Sequence, residues 1–189
     1  MGDVVTVRVA SIADAPHIAS VHVRSWQAAY RGQVPDDYLD SLSIEERETI
    51  WSGILRGSDL PSSGVFVSEA DERSVVGFAA ISPSRDDDAE TSTGEIGSIY
   101  LLPAFWGAGH GRALIERATA SLREAGFAAA TLWVLDTNLR ARRFYERAGW
   151  RPDGAQKVED RGSFSLSEVR YRRSVETIPN LQRATPPRR

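Results

Sequence analysis

The chain of 189 residues contains no cysteine, which removes disulfides, thiolate nucleophiles and cysteine zinc sites from consideration. It also lacks a long apolar run. The two least interrupted stretches, 75–81 and 127–135, fall far short of the roughly 20 residues that span a bilayer, so no membrane-spanning helix is expected. The first ten residues carry Asp3 and Arg8 and no apolar core, so no export signal is expected and a cytoplasmic location is. Lysine is nearly missing: of 23 lysine and arginine residues only Lys157 is lysine, and this excess of arginine reads as a genomic codon bias. The formal net charge of -3 gives no footprint for nucleic acid and favours cationic small substrates.

What is present is the mix of an ordinary globular protein, 41% hydrophobic and 26% charged, at a length suited to one domain. That domain is expected over 4–174, with a disordered, proline-containing tail over 175–189. Val4–Ala10 reads as a strand, and Asp14 with Pro16 as the start of a helix whose stripe is Ile18, Val21, Ser25/Trp26 and Ala29. A short helix follows near 37–42, and Ser43 with Glu46 forms a capping box for a third. Strands are expected at 65–68 and 74–82, turning near Asp71-Glu72, and at 94–102; the acidic segment 84–93 between the last two is expected to be a solvated loop. A glycine turn at 107–111 opens a long helix that stops near Gly126, and 129–135 is a strand. A helix over 138–148 and strands over 150–158 and 164–174 complete the order β-α-α-β-β-β-α-β-α-β-β, a mixed α/β domain.

The turn Trp106-Gly107-Ala108-Gly109-His110-Gly111-Arg112 joins a strand to a helix. Glycines allow close backbone approach, and the helix start adds free amides and a positive dipole end, so the turn suits a phosphate. A dinucleotide fingerprint needs glycine where Arg112 stands, and a Walker loop needs Gly-Lys-Ser/Thr. A tight turn without a ligand is the alternative. Further on, Asn138, Ala141, Tyr145, Gly149 and Trp150 recur at spacings of their own.

Together these residues resemble the GNAT superfamily of acetyl-CoA-dependent N-acetyltransferases, from about Val5 to Ser174 and most strongly between Glu95 and Trp150. The loop pattern Gln/Arg-x-x-Gly-x-Gly/Ala is matched by Trp106, Gly109 and Gly111, with tryptophan in place of Gln or Arg. The pattern Asn-x-x-Ala-x-x-x-Tyr-x-x-x-Gly-aromatic is complete. The resemblance implies a mostly antiparallel sheet of about seven strands with one splayed parallel pair, and acetyl-CoA as cosubstrate. It places the pantetheine arm along Ile99, Tyr100 and Leu101, the pyrophosphate over the amides of Gly107, Ala108, Gly109, His110, Gly111 and Arg112, and Asn138 on the arm. Asn138 also reads as a helix N-cap.

Transfer of acetyl to an amine needs a base for the ammonium proton and an acid for the departing thiolate. The separation of Glu95 from the loop resembles that of the base in the histone-acetyltransferase branch, and a regular strand sets Glu95 on one face with Gly97, Ile99 and Leu101. Tyr145, a phenol protonated at neutral pH, is the candidate acid, with Phe144 beside it as a packing residue. An amide near Ile99 or Tyr100 would polarise the carbonyl. The resemblance puts the acceptor between the first helices and the last strands, where Trp26, Tyr30 and Tyr38 could line the wall with Asp36 and Asp37 nearby and 159–162 bordering it; a core position on the apolar stripe is the alternative for Trp26. An amine-bearing small molecule or peptide is the expected acceptor, with no metal: His17 and His22 lie five apart on one helix, poor geometry for a shared ion. Homodimerisation is left open, and a non-catalytic acyl-CoA-binding module of the same fold is the competing reading.

Overall fold

The computed structural model describes residues 5–70 and 74–176. The strand start at Val4, the turn at Asp71-Glu72 and the tail beyond Glu176 lie outside the described residues. The elements are β1 (Thr6–Val9), α1 (Ala15–Ala29), α2 (Asp36–Asp40), α3 (Ile44–Arg56), β2 (Gly64–Glu69), β3 (Val75–Pro83), β4 (Thr93–Leu101), α4 (His110–Glu124), β5 (Ala129–Leu135), α5 (Leu139–Arg147), β6 (Arg151–Asp160) and β7 (Ser165–Ser174). They form a seven-stranded sheet in the order β1-β2-β3-β4-β5-β7-β6, with β4 and β5 as the parallel pair among antiparallel neighbours. Merging the early helices gives the order read from the sequence.

The local signals act as elementary chemistry dictates, with one exchange. Ser43 Oγ accepts the Glu46 N–H and starts α3. Asp14 instead turns its carboxylate to the Arg8 guanidinium, with both contacts at 2.8 Å, and to the Ser11 N–H. The Arg8 charge holds the Asp14 carboxyl well below the usual range. Val175, expected in the tail, is 3% exposed in the core and donates its N–H to the Ala128 carbonyl.

Each face of the sheet buries its own apolar layer. Phe66, Ala79, Ile81, Ile96, Leu132 and Val134 pack with Leu114, Ile115 and Leu122 of α4, and α5 joins through Tyr145. On the other face Val65, Val67 and Phe78 pack with α1 and α3, through Ile18, Val21 and Trp51. A third cluster joins Tyr30, Val34 and Leu39 to Leu135 and Leu166, so the chain from α1 to α2 crosses over β5 and β7.

Two irregularities create the opening. β4 and β5 pair only at Thr93–Ala129, Gly94–Ala130 and Glu95–Thr131, and beyond these positions the strands part. In β4, Ile96 pairs with Ile81 and Ser98 with Ala80, so Gly97 is an extra residue, a bulge. The bulge corrects the expected face. Ile96 and Ile99 pack toward α4 with Leu101, while Tyr100 packs toward α1 and α3. By alternation Glu95 and Ser98 share the side of Tyr100, opposite to Ile99 and Leu101.

Candidate active site

A cleft of about 670 Å³ runs through the gap between β4 and β5, from the glycine turn on one side of the sheet to α1, β6 and β7 on the other. Ile99, Tyr100, Leu101, Gly107, Gly109, Gly111, Arg112 and Asn138 line it, as do Glu95, Tyr145, Trp26 and Tyr30. Ala108 and His110 do not. The His110 ring is 5% exposed and turned inward, with Nδ1 at 2.8 Å from Ser68 Oγ and its edge on Phe105. Only its backbone is left to the turn. Tyr38 packs edge-on against Phe164 and Asp36 pairs with Arg31; these two and Asp37 stand away from the lining, whereas Glu159 and Arg161 border it.

The turn has the backbone such a cradle requires. Gly107 and Gly109 take φ of 82° and 95°, values L side chains rarely adopt, and α4 begins at the next residue. Phe144 packs beneath Gly111, and both it and Tyr145 line the cleft. Trp106 donates its indole N–H to the Leu101 carbonyl at 2.9 Å, and the Arg140 guanidinium lies 3.0 Å over its ring. The position that departs from the family pattern therefore carries an aromatic plate with a cation from α5 stacked on it. Asn138 is the N-cap of α5, its Oδ1 accepting the Ala141 N–H, and it also lines the cleft beside Tyr30. The N-cap reading of that residue is thus borne out, and the residue lies on the cleft.

Three phenols converge in the middle of the cleft. Burial raises the pKa of Tyr30, Tyr100 and Tyr145, that of Tyr100 to about 12, and the hydroxyls act on one another electrostatically. All three are neutral donors at pH 7. Glu95 is 6% exposed at the apex of the splay, and Arg85, itself largely exposed, holds Oε1 at 3.4 Å and donates its backbone N–H to Oε2.

Several lining residues escaped the sequence reading. Ser25, 3% exposed, has an Oγ without a hydrogen-bond partner. Trp133, Lys157 and Glu168 form a wall on β5, β6 and β7. The alternation of β5 could have revealed Trp133, since Leu132 and Val134 are core and residue 133 must face the other way. The acidic loop is also not free in solvent. Arg170 binds Asp88 bidentately at 2.6 and 2.7 Å, Asp86 at 3.1 Å and Asp153 at 2.8 Å, while Trp133 donates to Asp86 at 2.9 Å. The loop between β3 and β4 is thus fastened to the wall next to Glu95. Among the described residues no group of three His, Asp or Glu side chains could hold a metal ion. No helix among them is long and apolar enough to cross a membrane.

The sequence profile of the acetyltransferase (GNAT) family matches residues 22–150, which spans the bulged β4, the glycine turn and the Asn138–Trp150 segment. The chain belongs to the GNAT family of acetyltransferases. Among relatives, the uncharacterized N-acetyltransferase YuaI of Bacillus subtilis (strain 168) is 39% identical over 134 residues, 71% of this chain and 73% of YuaI. An uncharacterized N-acetyltransferase of Archaeoglobus fulgidus is 36% identical over 124 residues, 65% of this chain and 80% of that one. The fold resembles that of the PaiA N-acetyltransferase of Thermoplasma acidophilum, solved with coenzyme A, at a TM-score of 0.68 and 20% identity over 90% of this chain and 99% of that one. It also resembles yncA of Salmonella typhimurium, solved with acetyl-CoA, at a TM-score of 0.69 and 22% identity over 92% and 95%. As a GNAT protein the chain is an acyltransferase, and its Trp106–Arg140 stack stands at the position its family pattern gives to Gln or Arg.

Proposed function

We propose that residues 4–174 form one N-acetyltransferase domain that moves the acetyl group of acetyl-CoA to a primary amine of a small molecule or peptide by direct attack. The observation that carries the reading is the through-cleft: backbone of β4 freed from its neighbour, a positive-φ glycine turn at a helix start on one side, and a polar, aromatic chamber on the other. The pantetheine arm would lie along Ile99, Tyr100 and Leu101 in the manner of an added strand. The pyrophosphate would sit over the amides of the turn and first turn of α4, where Arg140 supplies the charge that Trp106 does not.

Glu95 is the base and Tyr145 the acid. An acceptor ammonium would displace Arg85, a long and exposed partner, from the Glu95 carboxylate and give up its proton there or through one water. The neutral amine attacks the thioester carbon, and the amide of Ile99 or Tyr100 polarises the carbonyl oxygen. Tyr145, kept protonated by burial, gives its proton to the leaving sulfur. Glu95→Gln and Tyr145→Phe test this. Each should lower kcat by roughly 10²-fold or more while leaving the affinity for acetyl-CoA near that of the parent. Unchanged rates in both variants would remove these roles, and binding without turnover on any amine would favour the non-catalytic module.

A further inference from the structure

The acceptor side of the cleft holds an amine of the chain's own. Lys157 is the only lysine in the sequence, and it stands on β6, separated from β5 by β7. Its Nζ nevertheless lies 4.3 Å from the centre of the Trp133 ring on β5. The side chain therefore runs back across β7 toward the gap while remaining 45% exposed to solvent. Nζ is 3.2 Å from Glu168 Oε2. The charge of Glu168 in turn bears on the hydroxyls of both Tyr30 and Tyr100, two of the three phenols at the centre of the cleft. Lys157, Glu168, Glu95 and Tyr145 line the same cavity. A codon bias accounts for arginine at every other basic position. It does not account for the one side-chain amine facing the chamber.

We propose that Lys157 is an intramolecular acetyl acceptor, so that the protein acetylates its own single lysine in the chamber that receives external amines. This rests on the acetyl-CoA reading above. In the step, the Lys157 ammonium yields one proton to the Glu168 carboxylate, which passes it to solvent. The neutral Nζ attacks the carbonyl carbon, the C–N bond forms and the C–S bond breaks. Tyr145 delivers its proton to the sulfur, and the second proton lost from the nitrogen passes through solvent to the phenolate and restores Tyr145. The products are Nε-acetyl-lysine and free coenzyme A thiol. An arginine there could not react in this way, because its guanidinium stays charged and is no nucleophile. Acetylation removes the Lys157 charge and leaves Glu168 open to an incoming ammonium.

The test uses the full chain with acetyl-CoA and no added amine, followed by intact mass and peptide mapping, with a parallel assay of thiol release on an added amine. The expected result is a mass gain of about 42 Da, one acetyl group, on Lys157. Its rate constant should not change on dilution of the protein, should vanish in the denaturant-unfolded chain, and should fall in Glu168→Gln. The Lys157→Arg variant, checked by circular dichroism for its fold, should gain no acetyl group at that position. Modification that slows on dilution, or proceeds equally in the unfolded chain, overturns the proposal, as does an unmodified Lys157 in protein that acetylates an added amine. If acetyl-CoA neither binds nor releases thiol with any amine, the acetyl-CoA reading itself fails, and the self-acetylation falls with it.

Discussion

His22 is a histidine that the fold keeps uncharged. Burial, and then the charge of Arg47, pull its pKa down to about 4, while its Nδ1 accepts the Trp51 indole N–H at 3.1 Å and its ring stacks on Tyr100 at 5.0 Å. In the unfolded chain the same group titrates near ~6.5, so the unfolded state binds the proton first and acid favours unfolding. The stability His22 contributes is complete above pH ~6.5 and is lost as pH falls toward 4, on the order of 3 kcal/mol over that window. Urea unfolding of the parent at pH 7 and pH ~4.5 should show the loss, and His22→Gln should flatten it. An undiminished pH slope in His22→Gln would show that another group carries the dependence. None of this could be read along the chain, because the environment of His22 comes from Trp51, Phe78 and Tyr100. The turn glycines Gly107 and Gly109 and the N-cap Asn138 were legible for the opposite reason: backbone conformation and helix capping are local demands, written within a few residues of where they act.

At the scale of elements, the loop between β3 and β4 is held by one distant cation. Three aspartates in a row read as solvated when the sequence is followed locally, since like charges repel and prefer water. The residue that reverses this, Arg170, comes more than 80 positions later in β7, and its bonds to Asp86 and Asp88 close the loop over Trp133. Arg170→Met should therefore cost about 2–3 kcal/mol, with the exposed share at Asp88 discounted. It should also open 84–92 to protease and raise KM for the acceptor more than it lowers kcat, because Arg85 and Glu95 lose their fixed neighbour. Asp87 is not among the partners of Arg170, and Asp87→Asn should stay within about 0.5 kcal/mol of the parent. An Arg170→Met protein with the parent's urea midpoint and an uncut loop would refute the fastening. The bulge at Gly97 is the same kind of hidden feature. Alternation gives the order of faces for a regular strand, and one extra residue moves Glu95 to the opposite side without any mark in the composition. Element order survived because it depends on periodicity. The face of Glu95 depends on register, which pairing with β3 decides.

At the scale of the whole molecule, the sheet is nearly two sheets. β1 to β4 with α1, α3 and α4 form one half, and β5 to β7 with α5 the other. Between β4 and β5, only three pairs of residues hydrogen-bond the halves, and the core under α4, the Arg170 ties and the Leu39–Leu135–Leu166 cluster hold them together elsewhere. A ligand lying in the opening would replace the missing strand pairing and contact both halves at once. It should stabilise the native state by more than local contact, and by an amount mass action fixes. At a concentration of about 100 times its Kd, acetyl-CoA should add roughly 2.7 kcal/mol. For a chain of this size that is on the order of 5–11 °C in Tm. Hydrogen exchange should slow in the same experiment at the upper part of β4, 97–101, and at 132–135 of β5, while β1 and β2 change little. NAD and ATP, which offer phosphate without a pantetheine arm, separate the glycine turn from the gap. If they raise Tm as far as acetyl-CoA does, the turn binds phosphate and the splay plays no part. If acetyl-CoA alone raises it, with protection on both sides of the opening, the parted strands are the binding site and the irregularity in the sheet is what the fold is built to present.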